Sequence, residues 1–122
     1  MIIRYKMPRI NQYLYNKADK YGIPLGGTFE LTPLCNMDCK MCYIHLYPGQ
    51  LKEPMLSVKE WLELGRQAKE QGMLFLLLTG GEPFLRSEFK EIYCGLHEMG
   101  LILSINTNGT LIDEETVRWL SD

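Results

Sequence analysis

No stretch of this sequence is long and apolar enough to cross a bilayer. Its longest apolar run is Met73–Leu78, far short of the roughly 20 residues that a spanning helix needs. The opening residues MIIRYKMPRI place Arg4, Lys6 and Arg9 inside every apolar stretch, so no targeting signal is legible there. An excess of one charge is lacking too. The net charge of -2 removes the electrostatic case for nucleic acid or an anionic membrane surface as partner. These absences point to the cytosol. In that reducing setting the four cysteines read as metal ligands or core thiols rather than a disulfide frame. The 122 residues, 46% hydrophobic, suffice for one domain with a modest core.

The apolar residues are spaced for alternating helices and strands. Residues 8–21 read as a helix with Ile10, Tyr13, Leu14 and Tyr21 near one face and Gly22 and Pro24 at its end. Its tyrosines are expected to pack on the body of the fold. Thr28–Pro33 alternates Phe29 and Leu31 with polar neighbours, a strand pattern, and residues 36–55 are aperiodic loop. A helix starts at Ser57, with Glu60 completing a capping box, Val58, Trp61, Leu62 and Ala68 inward, and Gly72 as the stop. Met73–Leu78 is apolar throughout, as in a strand covered on both faces. A further helix follows Ser87, with Phe89, Ile92, Tyr93, Leu96 and Met99 inward and Gly100 after it. Leu101–Ile105 is a third strand, and Asp113 caps a last helix holding Val117 and Leu120. On the helix that follows Ser87, Cys94 reads as a buried thiol, His97 as a surface residue, and Glu88, Glu91 and Glu98 as a solvated face.

Strands alternating with helices imply an α/β fold with parallel pairing. In such folds ligands collect beyond the C-terminal ends of the strands. The segments richest in chemistry all fall there: Cys35–Cys42, Thr79–Pro83 and Asn106–Gly109.

Cys35, Cys39 and Cys42 form a C-x3-C-x2-C group in one loop. Thiolates are soft ligands suited to iron–sulfur clusters, zinc or Cu(I). An ordinary four-iron cluster takes four cysteines, and the remaining one, Cys94, lies in mid-helix far along the chain. Three protein ligands leave one iron open, as in catalytic metal sites. A zinc knuckle completed by His45 or Cys94 is the competing reading. Zinc knuckles usually pair two C-x2-C units, which the C-x3-C opening does not match.

The triplet after a first strand, followed by Gly80-Gly81-Glu82-Pro83 after the second, resembles the radical S-adenosylmethionine superfamily. Phe29-Glu-Leu-Thr-Pro-Leu-Cys, Cys42-Tyr43 and Thr107-Asn-Gly-Thr-Leu-Ile are more particularly similar to its peptide- and protein-modifying branch. That branch includes anaerobic sulfatase maturases and peptide-cyclising enzymes with a cysteine-rich SPASM extension. The resemblance implies that Cys35, Cys39 and Cys42 hold a 4Fe-4S cluster whose fourth iron S-adenosylmethionine chelates. It further implies that Gly80, Gly81 and Glu82 receive the cofactor's amino group while Pro83 shapes the turn. Two glycines let backbone approach a ligand closely, and a carboxylate suits an ammonium. Met41 stands where the family often has an aromatic residue near the adenine, with Tyr43 just after. Asn106 and Asn108 lie near cofactor or substrate in the family; an Asx-rich turn capped by Gly109 explains them equally well.

The implied reaction is reductive cleavage of S-adenosylmethionine to a 5′-deoxyadenosyl radical that abstracts hydrogen from a peptide or protein. The electron comes from a flavodoxin or ferredoxin. The implied fold is a partial (β/α) barrel of about three of six parallel βα units, with residues 1–26 as a helical lead-in and 27–122 as a truncated core. Such a part of a barrel leaves a strand edge exposed. It reads as a fragment, or as one half of a split enzyme completed by a partner chain. A cluster-binding module without turnover, or an inactive truncated remnant, is the alternative function.

Overall fold

A computed structural model of the protein, which describes residues 9–44 and 46–121, resolves this pattern into alternating elements. Helix α1 (Arg9–Tyr21) leads into strand β1 (Gly26–Glu30); α2 (Val58–Glu70) connects β1 to β2 (Phe75–Thr79). Helix α3 (Phe89–Glu98) connects β2 to β3 (Ile102–Ile105), and α4 (Glu114–Ser121) follows. The strands form one parallel sheet in the order β1-β2-β3. Parallel neighbours need a long crossover to return the chain to the same end of the sheet, and the helices provide it.

Local chemistry sets most helix ends. Ser57 Oγ accepts from Glu60 N at 3.3 Å while the Glu60 carboxylate accepts from Ser57 N at 2.7 Å, the expected capping box. Gly72, with φ +97°, turns the chain out of α2. Asp113 Oδ1 accepts from Thr116 N at 2.8 Å and so caps α4. Helix α3, which follows Ser87 as expected, starts without such a cap. Ser87 donates its hydroxyl to the Glu88 carboxylate, and Glu88 stands at the N-cap without a side-chain bond to the helix backbone.

Pairing sets the strand ends. β1 is found at Gly26–Glu30 rather than Thr28–Pro33 because the register sets Gly26 opposite Phe75 and Glu30 opposite Thr79, where β2 ends. The Met73 N–H closes α2 on Ala68 O, and the Leu74 and Phe75 N–H groups both reach Leu25 O. Leu31 N makes the last rung, to Thr79 O at 2.8 Å, and Pro33 has no N–H with which to continue. β2 is accordingly Phe75–Thr79, not Met73–Leu78, and β3 begins at Ile102 rather than Leu101.

Only one face of β2 is fully covered, contrary to its apolar run. Leu76 and Leu78 join Leu31, Trp61, Phe89, Ile92, Leu96 and Leu101 in the core, each burial contributing about 2 kcal/mol. Phe75, Leu77 and Thr79 are half-buried on the opposite face. The register places Thr28 and Glu30 of β1 and Ser104 of β3 on that same open face. Since α2 and α3 both feed the one core, helices lie on one side of the sheet, as in a barrel segment rather than a doubly wound sheet. Trp119 brings α4 to that side, 5.4 Å from Tyr93 between ring centroids.

Helix α1 stands apart. Ala18 is its one buried residue, and Ile10, Tyr13, Tyr15 and Tyr21 are exposed, so the expected packing of its tyrosines is not found. Lys17 and Lys20 lie over the Tyr13 and Tyr21 rings instead. The part of that expected helix before Arg9 lies outside the described residues. Among those residues no helix is long and apolar enough to cross a membrane.

Candidate functional site

The strands run parallel, so their C-terminal ends share one edge of the sheet, and loops 31–57, 80–88 and 106–113 leave from it. The second loop is built against the first. Gly81 N donates to Thr32 O and Glu82 N to Leu34 O, both at 2.8 Å. The two backbones then pass so closely that a Cβ on Gly80 would lie 2.3 Å from Thr32 O, and one on Gly81 2.3 Å from Leu34 O. Gly80 also holds φ +152°. The missing side chains of Gly80 and Gly81 make way for the backbone leading to Cys35.

Glu82 has no exposed surface. Its Oε1 accepts from Phe84 N at 3.0 Å and Thr107 Oγ1 at 2.9 Å, and its Oε2 from Asn108 N at 2.8 Å. A buried carboxylate is costly without such donors. What the carboxylate does here is tie the β3 loop to the 80–83 turn. Pro83, buried, opens the short 3-10 turn Pro83–Leu85, where its missing N–H costs nothing.

From Asn108 the network returns to the first loop. Asn108 Nδ2 donates to Asn36 Oδ1 and Asn36 Nδ2 to Thr110 Oγ1, both at 2.9 Å, while Asn108 Oδ1 accepts from Thr110 N at the same distance. Asn36 directly follows Cys35, so side chains stitch the first loop to the third. The Asx-turn reading therefore describes Asn108 and Gly109, which has φ +75°. Asn106 is exposed, its N–H bonded to Leu78 O at 2.9 Å.

Cys35, Cys39 and Cys42 are free thiols. Cys35 is buried and donates its N–H to Leu46 O at 2.9 Å beside an isolated bridge between Leu34 and Leu46. Cys42 N donates to Cys39 O at 2.9 Å, closing a turn between these two ligand candidates, and Ile44 N donates to Cys42 Sγ at 3.4 Å. Tyr43 reaches down to the sheet, where its hydroxyl donates to Glu30 Oε1 at 2.8 Å. That bond and the charge of Glu30 hold the phenol above its usual pKa. Met41 is 91% exposed. Cys94, expected buried, is half-buried on α3, and His45 lies outside the described residues. Among those residues no three His, Cys, Asp or Glu side chains are gathered closely enough to hold a metal ion. A depression of about 780 Å³ is lined by residues of α2 and the segment before it, including Leu56, Lys59, Glu63 and Leu64, and by none of the cysteines.

Sequence reasoning gave no contact to Asn36, Thr107, Thr110 or Glu30, although the last three lie in segments that carry the family resemblance. Their residue types carry no chemical signature, and the one available cue was position, next to a motif or at the end of a strand.

Comparison with known proteins agrees with this convergence of loops. A family model described as the Radical SAM superfamily matches residues 29–122, which take in all three loops. The chain belongs to that superfamily. Two curated relatives of this radical SAM chain carry names of defined roles. A probable GTP 3′,8-cyclase of Aeropyrum pernix is 36% identical over 103 residues, 78% of this chain and 28% of that protein. The antilisterial bacteriocin subtilosin biosynthesis protein AlbA of Bacillus subtilis is 30% identical over 103 residues, 84% of this chain and 22% of that protein. The chain thus spans under a third of the length of either relative. Among solved structures, SuiB of Streptococcus suis bound to S-adenosylmethionine matches with a TM-score of 0.72 and 24% identity, over 98% of this chain and 30% of that one. SuiB bound to its precursor peptide SuiA matches at 0.70 and 24%, over 100% and 29%. The three-stranded sheet with its helices is therefore one part of a SuiB-like radical SAM fold.

Proposed function

We propose that the chain is the cluster-bearing part of a radical SAM enzyme that modifies a peptide or protein, with residues 27–122 belonging to its core and 1–26 leading in. One observation carries this reading. The loop holding three free thiols, Cys35, Cys39 and Cys42, is fastened at the C-terminal edge of a parallel sheet by the Gly80–Glu82 turn and by Asn36. The donor chemistry fits an iron–sulfur cluster, since thiolates are its usual ligands, and three of them leave an iron open. The Ile44 N–H on Cys42 Sγ is the kind of outer bond that tunes a ligated sulfur. Cys35, Cys39 and Cys42 would hold a 4Fe-4S cluster, which when bound supplies the electron that cleaves S-adenosylmethionine. Ligation then also draws together sulfurs that the chain alone leaves apart, coupling binding to local folding.

Around that position, Gly80, Gly81 and Glu82 would receive the cofactor's amino group, with the Glu82 carboxylate steadied by its bonds to Phe84, Thr107 and Asn108. Met41, Tyr43, Pro83, Asn106 and Asn108 complete the rim proposed to contact S-adenosylmethionine. A peptide substrate is supported by AlbA, named for bacteriocin biosynthesis, and by SuiB, solved with a precursor peptide. The 36% identity to a GTP 3′,8-cyclase favours a nucleotide as the second reading. The electron donor would be a flavodoxin or ferredoxin.

Anaerobic reconstitution with iron and sulfide, then dithionite and S-adenosylmethionine, tests the proposal. The expected product is 5′-deoxyadenosine. A loaded, reducible cluster that yields none leaves a binding module without turnover. Cys39→Ala should abolish bound iron and Cys94→Ala should leave it intact; equal loss in both would mean four protein thiolates and a closed site.

A further inference from the structure

The stretch between Leu31 and Leu56 carries all three triplet cysteines and contains no helix or strand among its described residues. Loops longer than about 12–15 residues without regular structure are usually functional or disordered. Here a residue from elsewhere holds the two ends. Arg86 follows the 3-10 turn, and its side chain is 2% exposed. Nη1 donates to Leu31 O at 2.9 Å and Nη2 donates to Leu56 O. Leu31 makes the last rung onto β2, and Leu56 precedes Ser57, the cap of α2. One planar guanidinium therefore spans the beginning and the end of the cysteine loop. A lysine, with a single point-like ammonium, cannot serve two separated carbonyls in this way.

Charge pairing does not account for the arginine. Its ion-pair partner Glu88 is 3.8 Å from Nη2 with a side chain 43% exposed, and Nε is buried without a hydrogen-bond partner. Burying a guanidinium on those terms is unfavourable. The two carbonyls are what it is placed to hold.

We propose that Arg86 is a positioning residue for the cysteine loop. By fixing Leu31 relative to Leu56 it sets the span over which Cys35, Cys39 and Cys42 are presented, and hence how firmly a cluster is held. The second half rests on the cluster reading above; the clamp itself does not.

Arg86→Met and Arg86→Lys test this in the full chain, with Ile92→Val as a control that loosens the core while leaving Arg86 in place. In iron-free protein, hydrogen exchange across residues 32–55 should rise in both Arg86 variants while α2 and α3 keep wild-type protection. The control should show no selective rise in that loop. In reconstituted protein, transfer of iron to a chelator should be about ten- to a hundredfold faster in the Arg86 variants, the scale seen for outer partners of metal ligands, and unchanged in Ile92→Val. Wild-type exchange in the loop of Arg86→Lys, the variant that keeps its charge and the milder change to the fold, overturns the clamp. Wild-type iron release from both Arg86 variants overturns its link to the cluster. Wild-type protein that takes up no iron refutes the cysteine reading instead, and the exchange result still decides the clamp.

Discussion

Gly81→Ala probes the crossing of the first two loops directly. The added Cβ would sit 2.3 Å from Leu34 O, 2.6 Å from Leu34 C and 3.0 Å from Cys35 Cβ. A carbon–oxygen contact needs about 3.3 Å or more, so the oxygen must give way by a whole ångström. It is a backbone atom, and no rotamer change relieves the clash. The two backbones must part, loosening the bonds from Gly81 N to Thr32 O and from Glu82 N to Leu34 O, worth about 1 kcal/mol each. Overpacking strain adds about 1–3 kcal/mol, for a total of about 3–5 kcal/mol. At about 3–5 °C per kcal/mol for a chain of this size, the melting temperature should fall by about 9–25 °C. Gly100→Ala is the comparator. Its Cβ would meet nothing within 4 Å, and only the left-handed backbone at φ +85° resists it, at about 1–2 kcal/mol. Urea and thermal unfolding followed by circular dichroism measure both. If Gly81→Ala were no less stable than Gly100→Ala, the loops would not cross tightly and the glycine would have to be explained by space for a ligand.

Glu82→Gln puts an NH2 group among donors from Phe84, Thr107 and Asn108; it should cost about 2–4 kcal/mol by urea unfolding and release the β3 loop in hydrogen exchange. Glu30→Gln should bring the Tyr43 phenol down toward its ordinary pKa, read by NMR titration of labelled tyrosine, because the bond to Glu30 and that residue's charge raise it. The raised value means that this contact supports the fold below the ordinary phenol pKa and is lost as pH rises through the raised one. An unmoved phenol in Glu30→Gln would refute the contact. Ser57→Ala should weaken the start of α2 and flatten its acid dependence. The Ser57 hydroxyl and N–H hold Glu60 below its usual range, so the wild-type box persists above the ordinary carboxylate pKa and opens as pH falls through the lowered one.

The sequence alone determined what depends on near neighbours. The capping box of Ser57 and Glu60 and the cap of Asp113 on Thr116 are bonds between residues three apart, so spacing reveals them. The order of elements, the cysteine triplet and the Gly-Gly-Glu-Pro turn were legible for the same reason, each being a pattern within a few positions. Tertiary structure decided the rest. A strand ends where its partner's hydrogen bonds end, so β1 and β2 each lay about two residues from where their side chains alone suggested. The apolar run of β2 could not show that one of its faces stays open, since that depends on where the helices pack. The glycines of the turn answer to the backbone at Thr32 and Leu34, the Glu82 carboxylate to Thr107 and Asn108, and the Arg86 guanidinium to Leu31 and Leu56. Those partners lie tens of residues away along the chain, and no local pattern encodes a contact that exists only once the sheet has brought its loops to one edge.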